Sequence, residues 1–269
     1  MTSFTMYQID AFADRPFAGN PAAVLILDRP MNTALMAAIA AENNLAETAF
    51  VERDGGDYAI RWFTPSGEVA FCGHATLAAA HVLAQAYGCA MPVRFQTRKV
   101  GSLVVDRHPD GRYALDLPRL DPTPLPPPPQ FAQIFPQGWV EAFQNFENYF
   151  VLLPSAKAVA EFTPDLRKIA EFGDFGLGIT AAGGMTHDGA PVDFVSRYFA
   201  PGAGIDEDPV TGSTHATLVP FWAKRLGKSD LSAFQASKRG GAMGCRLTDT
   251  RVILSARAVT FMKATIYPR

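Results

Sequence analysis

The sequence predicts an α+β protein of two pseudo-symmetric domains, each a curved, mostly antiparallel sheet wrapped around a central helix. Three observations carry this expectation. Seven prolines fall between Pro118 and Pro129 (LPRLDPTPLPPPPQ), a run held extended with few backbone donors, which suits a connector. Across it a pattern repeats: RWFTP at Arg61 to Pro65 returns as RYFAP at Arg197 to Pro201, an offset of 136. After a three-residue insertion the offset settles at 139, pairing Gly73 with Gly212, Phe95-Gln96 with Phe234-Gln235, Gly101 with Gly240, and Leu115 with Leu254. Third, His74 to Tyr87 (HATLAAAHVLAQAY) is apolar on nearly all sides, which suits a helix only where sheet surrounds it.

The elements follow in chain order. The opening MTSFTMYQIDAF lacks the basic-then-apolar run of a secretory leader and reads as a strand. Asn20-Pro21 in FAGNPAAV reads as a turn. Asn32 is a good cap for a first helix, answered in the second half by Thr163-Pro164. The next strand, LAETA (Leu45 to Ala49), is answered by LGITA (Leu177 to Ala181) at an offset of 132, which pairs Glu47 with Ile179. Each half then reads helix, strand, strand, turn, long helix, strand, strand. Val69 to Val93 carries no acidic or basic residue, but Gly73, His74, His81, Gln85, Gly88 and Pro92 make it a buried helix rather than a membrane span. The second long helix covers about Ser213 to Leu226, where Pro220 should kink it or re-aim its first turn. Domains are expected at 1–120 and 121–258, with a last strand at 259–267 completing the first. The halves are expected to face each other across a pseudo-twofold axis, with the site in their cleft.

Composition narrows the function. With 24 Lys plus Arg against 26 Asp plus Glu, the net charge is −2, so no basic field gathers phosphates, and neither nucleic acid nor an anionic membrane is an expected partner. A small molecule is. Cys72, Cys89 and Cys245 are odd in number, without CxxC spacing or a His cluster, which indicates neither a disulfide framework nor a metal site and fits a reducing cytoplasm.

Chemistry is expected first at the two glycine-led helix starts, Phe71-Cys72-Gly73-His74 and Val210-Thr211-Gly212-Ser213, where free N–H groups and the helix dipole favour an anion. Glycine as a mere permissive corner, with Ser213 as a cap, is the plainer reading. Glu47 interrupts an otherwise apolar strand of one half only. Buried there it would have a raised pKa suited to proton exchange, whereas turned outward it would be a solvated surface acid. In Ile205-Asp206-Glu207-Asp208-Pro209 the three acids read as dipole partners of the second helix start, although Asp208 could orient His74 or hold a substrate amine or hydroxyl. His74, at a helix start, is expected as a neutral hydrogen-bonding ring, or as a structural histidine. Cys72 could be a thiolate favoured by the helix start, but its repeat partner Thr211 supplies no second thiol, so packing is the plainer role. No GxSxG elbow, GxGxxG or phosphate loop is present.

These residues carry a family resemblance. YQIDAFADRPFAGNPAAVL, NLAETAFV, RWFTPSGEVAFCGHATLAAAHVL, SRYFAPGAGIDEDPVTGSTHATLVPFWAKRLGK and the late FQASKRGG resemble the phenazine-biosynthesis PhzF-like isomerases, which are similar in architecture to diaminopimelate epimerase. The resemblance implies twisted sheets around central helices, a homodimer, and neither organic cofactor nor metal. It implies that Glu47 is the acid/base and that His74, Asp208 and Ser213 hold the substrate beside it, with Gly73, Gly212, Cys72, Thr211 and Asn20 completing the binding surface. Cys72 departs from the phenazine enzyme, which has a small apolar residue there, and matches the position of a catalytic thiol in the epimerases. Three functions follow: a cofactor-independent proton-shift isomerase acting on a small carboxylate, an amino-acid epimerase using Cys72 with Glu47, or a ligand-binding protein without turnover.

Overall fold

The computed structural model describes residues 3–268. The chain divides into two compact units: one runs up to Leu117 and resumes at Leu254, and the other is Pro118–Ile253. In the first, β1 (Phe4–Ala11) and β2 (Asn20–Leu27) precede α1 (Thr33–Asn43). Then come β3 (Glu47–Asp54), β4 (Asp57–Thr64), β5 (Gly67–Val69), α2 (Gly73–Ala86), β6 (Val93–Gln96), β7 (Ser102–Arg107) and β8 (Tyr113–Pro118). The second unit begins with β9 (Thr123–Pro124), α3 (Phe131–Ile134), β10 (Glu141–Gln144), β11 (Asn148–Leu152), α4 (Ala156–Ala160) and α5 (Leu166–Ala170). It continues through β12 (Gly176–Ala182), β13 (Phe194–Phe199), α6 (Gly212–Leu226), β14 (Asp230–Gln235), β15 (Gly241–Leu247) and β16 (Arg251–Ala256). β17 (Ala258–Ile266) returns to the first unit and pairs antiparallel with β1.

The strands of the two units follow the same pairing sequence. In the first, β2 and β3 are parallel, β3 and β4 antiparallel, β4 and β6 parallel, β6 and β7 antiparallel. In the second, the same alternation runs through β11, β12, β13, β14 and β15. The hairpin registers agree with the 139 offset, since Phe95 faces Leu103 and Phe234 faces Ala242. The earlier strand needs correction. Thr48 faces Phe63 and Leu177 faces Phe199, so the offset of β3 to β12 is 129 and the counterpart of Glu47 is Gly176, not Ile179. Parallel pairing agrees, with Ala22 opposite Glu47 and Asn148 opposite Gly176. The similarity of LAETA to LGITA misled because β12 and the first five residues of β3 are buried on both faces, so no alternation marks face or register.

Helix α2 is buried on every side of its first three turns and packs against β1, β2, β3, β7 and β17, which explains why its sequence lacks a polar stripe. α6 keeps Pro220 inside an unbroken helix. The carbonyl that Pro220 leaves without a donor, that of Ala216, accepts instead from the Leu120 backbone N–H at 3.0 Å. The expected cap at Asn32 forms, its side chain accepting from the Leu35 N–H at 2.8 Å. Thr163-Pro164 does not open the second helix: Asp165 caps α5 and Ser155 caps the separate α4. Asn20-Pro21 is likewise not a turn but the start of β2, opposite Ala11 and Asp10. The turn lies just before it, at Gly19, whose φ is +64° and where a Cβ would stand 2.0 Å from the Ala11 carbonyl oxygen, so only glycine fits. Among the described residues, no helix is long and apolar enough to cross a membrane.

Candidate active site

Parallel pairing of β2 and β3 puts their first residues, Asn20 and Glu47, at one edge of the sheet, and the start of α2 meets them there. Glu47 is 9% exposed, Cys72 5% and His74 4%, so the acid does not turn outward. His74 Nε2 lies 3.0 Å from Glu47 Oε2, and His74 Nδ1 lies 3.1 Å from the Asn20 amide and 3.5 Å from Cys72 Sγ. Gly73 opens α2, and Cys72, at the cap position, makes no side-chain bond to the helix start. The first-turn N–H groups are therefore left without a side-chain cap.

Electrostatics correct the expected neutral His74. Burial opposes charge on the ring, but the Glu47 carboxylate against it outweighs that and holds His74 well above the usual histidine range. A carboxylate at 3.0 Å acts more strongly than the partial charge of a helix start. The thiol moves the other way from the expected activation. Burial, reinforced by the Glu47 charge, pushes Cys72 up to about 11, so it is protonated near neutrality.

In the second unit the Gly212 start is built differently. Thr211 caps α6 by position without a side-chain bond to its N–H groups, and its hydroxyl donates to Asp208 Oδ2. Gln235, fully buried, clamps this corner: its Oε1 accepts from the Thr211 N–H at 2.8 Å, while its Nε2 donates to the Asp208 carbonyl at 2.7 Å and to Thr211 Oγ1 at 3.2 Å. Gln235 was visible in the sequence only as half of a repeated Phe-Gln pair, with nothing to mark its contacts. Ser213 is half-buried at the second helical position. The three-acid loop is not a set of dipole partners, because Glu207 forms a two-pronged pair with Arg197 at 2.7 and 2.9 Å. Arg61 and Glu68 form its counterpart in the first unit at 2.8 and 2.7 Å, and each arginine lies 5.0 Å from a phenylalanine ring centre, Phe63 or Phe199.

At the position matching Glu47, a side chain is excluded. A Cβ on Gly176 would stand 1.9 Å from the Tyr198 hydroxyl, which donates to Asn148 Oδ1 at 2.7 Å. His215, two residues from Ser213, uses Nδ1 to donate to the Thr211 carbonyl at 2.8 Å. That bond fixes it as a structural ring.

The chain matches the phenazine biosynthesis-like protein family, PhzC-PhzF, over residues 9–123 and 134–264. It is 46% identical over 254 residues to an uncharacterized isomerase of Pseudomonas aeruginosa, with 94% of each chain covered. A crystal structure of a PhzF-family phenazine biosynthesis protein from Enterococcus faecalis is 41% identical and superposes with a TM-score of 0.92, covering 99% of this chain and 100% of that one. A probable proline racemase from Agrobacterium radiobacter, 10% identical with a TM-score of 0.63 over 98% of this chain and 93% of that one, shares the fold.

Proposed function

The chain belongs to the phenazine biosynthesis-like family and is a PhzF-like isomerase, and on that premise we propose that Glu47 is the single acid/base of a cofactor-independent proton shift on a small carboxylate-bearing substrate. The observation that carries the reading is the buried Glu47 carboxylate 3.0 Å from His74 Nε2, with glycine at the matching place in the other unit. Glu47 takes a proton from one substrate carbon and returns it to another on the same face, so one base suffices. His74, held toward its protonated form, donates to the electron-rich intermediate or to Glu47 itself. The uncapped start of α2 binds the carboxylate, each well-aimed N–H contributing about 3 kcal/mol to the transition state. Within the second unit, Gln235 holds the Asp208–Thr211 corner ahead of Gly212 and Ser213.

The epimerase reading has one point in its favour, the presence of Cys72 in the cluster. Two-base epimerisation sets an acid and a base on opposite faces of one carbon, each about 3–3.5 Å from it and so about 6–7 Å apart. Glu47, Cys72 and His74 keep their reactive atoms within 4.8 Å of one another, and the thiol is held protonated. Geometry and electrostatics both favour the shift isomerase.

Carboxylates that raise the melting temperature identify the ligand class, because binding to the native state alone stabilises it. With a turned-over hit, E47Q should lower kcat by about 10²–10⁴-fold while keeping the thermal stabilisation. Undiminished turnover in E47Q contradicts the assignment.

A further inference from the structure

Glu47, Cys72 and His74 are also a set of metal ligands. Among the described residues they are the one group of three His, Cys or carboxylate side chains whose ligand atoms all lie within 4.8 Å of one another. His74 Nε2 stands 3.0 Å from Glu47 Oε2 and 3.9 Å from Cys72 Sγ. A tetrahedral zinc ion, with bonds of about 2.3 Å to sulfur and about 2.0–2.2 Å to nitrogen and oxygen, holds neighbouring ligand atoms about 3.4–3.6 Å apart. Side-chain shifts of a few tenths of an ångström correct the two distances to His74, and a closing of at most about 1.2 Å between Glu47 and Cys72, whose ligand atoms lie within 4.8 Å, brings all three onto one ion.

The surroundings favour it independently. Glu47 Oε2 is buried against His74 Nε2 at 3.0 Å, off hydrogen-bond alignment, and coordination of both atoms to one ion replaces that contact. Thiolate and imidazole select zinc over magnesium or calcium, and three protein ligands leave a fourth position for water or a carboxylate.

We propose that this triad binds one zinc-class divalent cation, and that the bound ion inhibits the enzyme by engaging the Glu47 oxygen needed for proton exchange. On binding, the Cys72 Sγ–H and His74 Nε2–H bonds break and Sγ–metal and Nε2–metal bonds form; both protons pass to solvent, and no oxidation state changes. The inhibition rests on the role of Glu47 proposed above, whereas the binding does not.

The test uses the full-length protein after chelator treatment, titrated calorimetrically with Zn²⁺ and, as an optical probe, with Co²⁺. The expected result is one ion per chain with a Kd of about 1 μM or tighter and a cobalt–thiolate charge-transfer band. Affinity should fall at least about tenfold in C72S and H74N, while C89A, altered at a thiol outside the cluster, binds as the unaltered protein does. Absence of stoichiometric binding, absence of the cobalt–thiolate band in the unaltered protein, or a C72S variant that is folded and retains full affinity overturns the site. Stoichiometric zinc with undiminished turnover upholds the site and overturns the inhibition, together with the acid/base reading beneath it. An inactive E47Q beside a protein that binds no zinc leaves that reading standing and overturns the metal proposal.

Discussion

His74 and His215, both buried near a helix start, are driven in opposite directions by what each ring faces. His74 has a carboxylate at 3.0 Å and is raised well above its ordinary value despite burial. His215 faces neutral partners, the Thr211 carbonyl and the Ser196 and Thr214 hydroxyls, and burial lowers it to about 4. A histidine raised on folding adds stability that is complete below about pH 6.5 and lost as pH rises through its folded value. Denaturant unfolding above pH 6.5 should therefore show stability declining with pH, and H74N should flatten that decline. A histidine lowered on folding does the reverse: His215 contributes above about pH 6.5, and about 3 kcal/mol is lost as pH falls toward 4. H215Q should remove that acid-side loss; an unchanged acid limb contradicts the assignment of His215 as a neutral structural ring. Glu47 was legible as a candidate because an acid in an apolar strand is conspicuous. The rise in His74 was not legible, because it depends on a neighbour 27 positions away in the sequence that only the sheet brings close.

Pro220 shows why an element's interior resists reading from local rules. Proline inside a helix ordinarily costs about 3 kcal/mol, from a lost donor and an unmet carbonyl. Here Leu120 supplies the donor to Ala216, from a segment that the sequence presents only as a proline-rich connector. Pro220→Ala should therefore change stability by less than about 1 kcal/mol rather than gain the usual 3; a gain near 3 by urea unfolding contradicts the compensation. The register of β12 makes a second case. Both strands are buried on both faces where they match, so the three-residue difference between offsets 132 and 129, which also exchanges the faces, is fixed by pairing with β13, to which local pattern is blind. Gly176 tests the corrected register. Gly176→Ala should destabilise by about 1–3 kcal/mol, the usual range for overpacking, because Tyr198 occupies the space its Cβ needs. A neutral effect would move the counterpart of Glu47 elsewhere.

Across the whole chain, one alternation of parallel and antiparallel pairs is written twice, and the Arg61–Glu68 pair recurs as Arg197–Glu207. Long constant offsets and arginine-aromatic-proline motifs made this duplication legible without coordinates. At the position of Glu47 the copies differ: an acid in one, glycine against a tyrosine hydroxyl in the other. On the proposed reading, one proton-exchanging group suffices for a shift that keeps to a single face, and the neighbouring thiol is dispensable to it. The direct test is incorporation of solvent deuterium into a turned-over carboxylate, followed by NMR in the unaltered enzyme, C72A and E47Q. Incorporation retained in C72A with a displaced double bond, and abolished in E47Q, is the predicted result. Incorporation abolished in C72A, or at the α-carbon with loss of chirality and no displaced double bond, contradicts it.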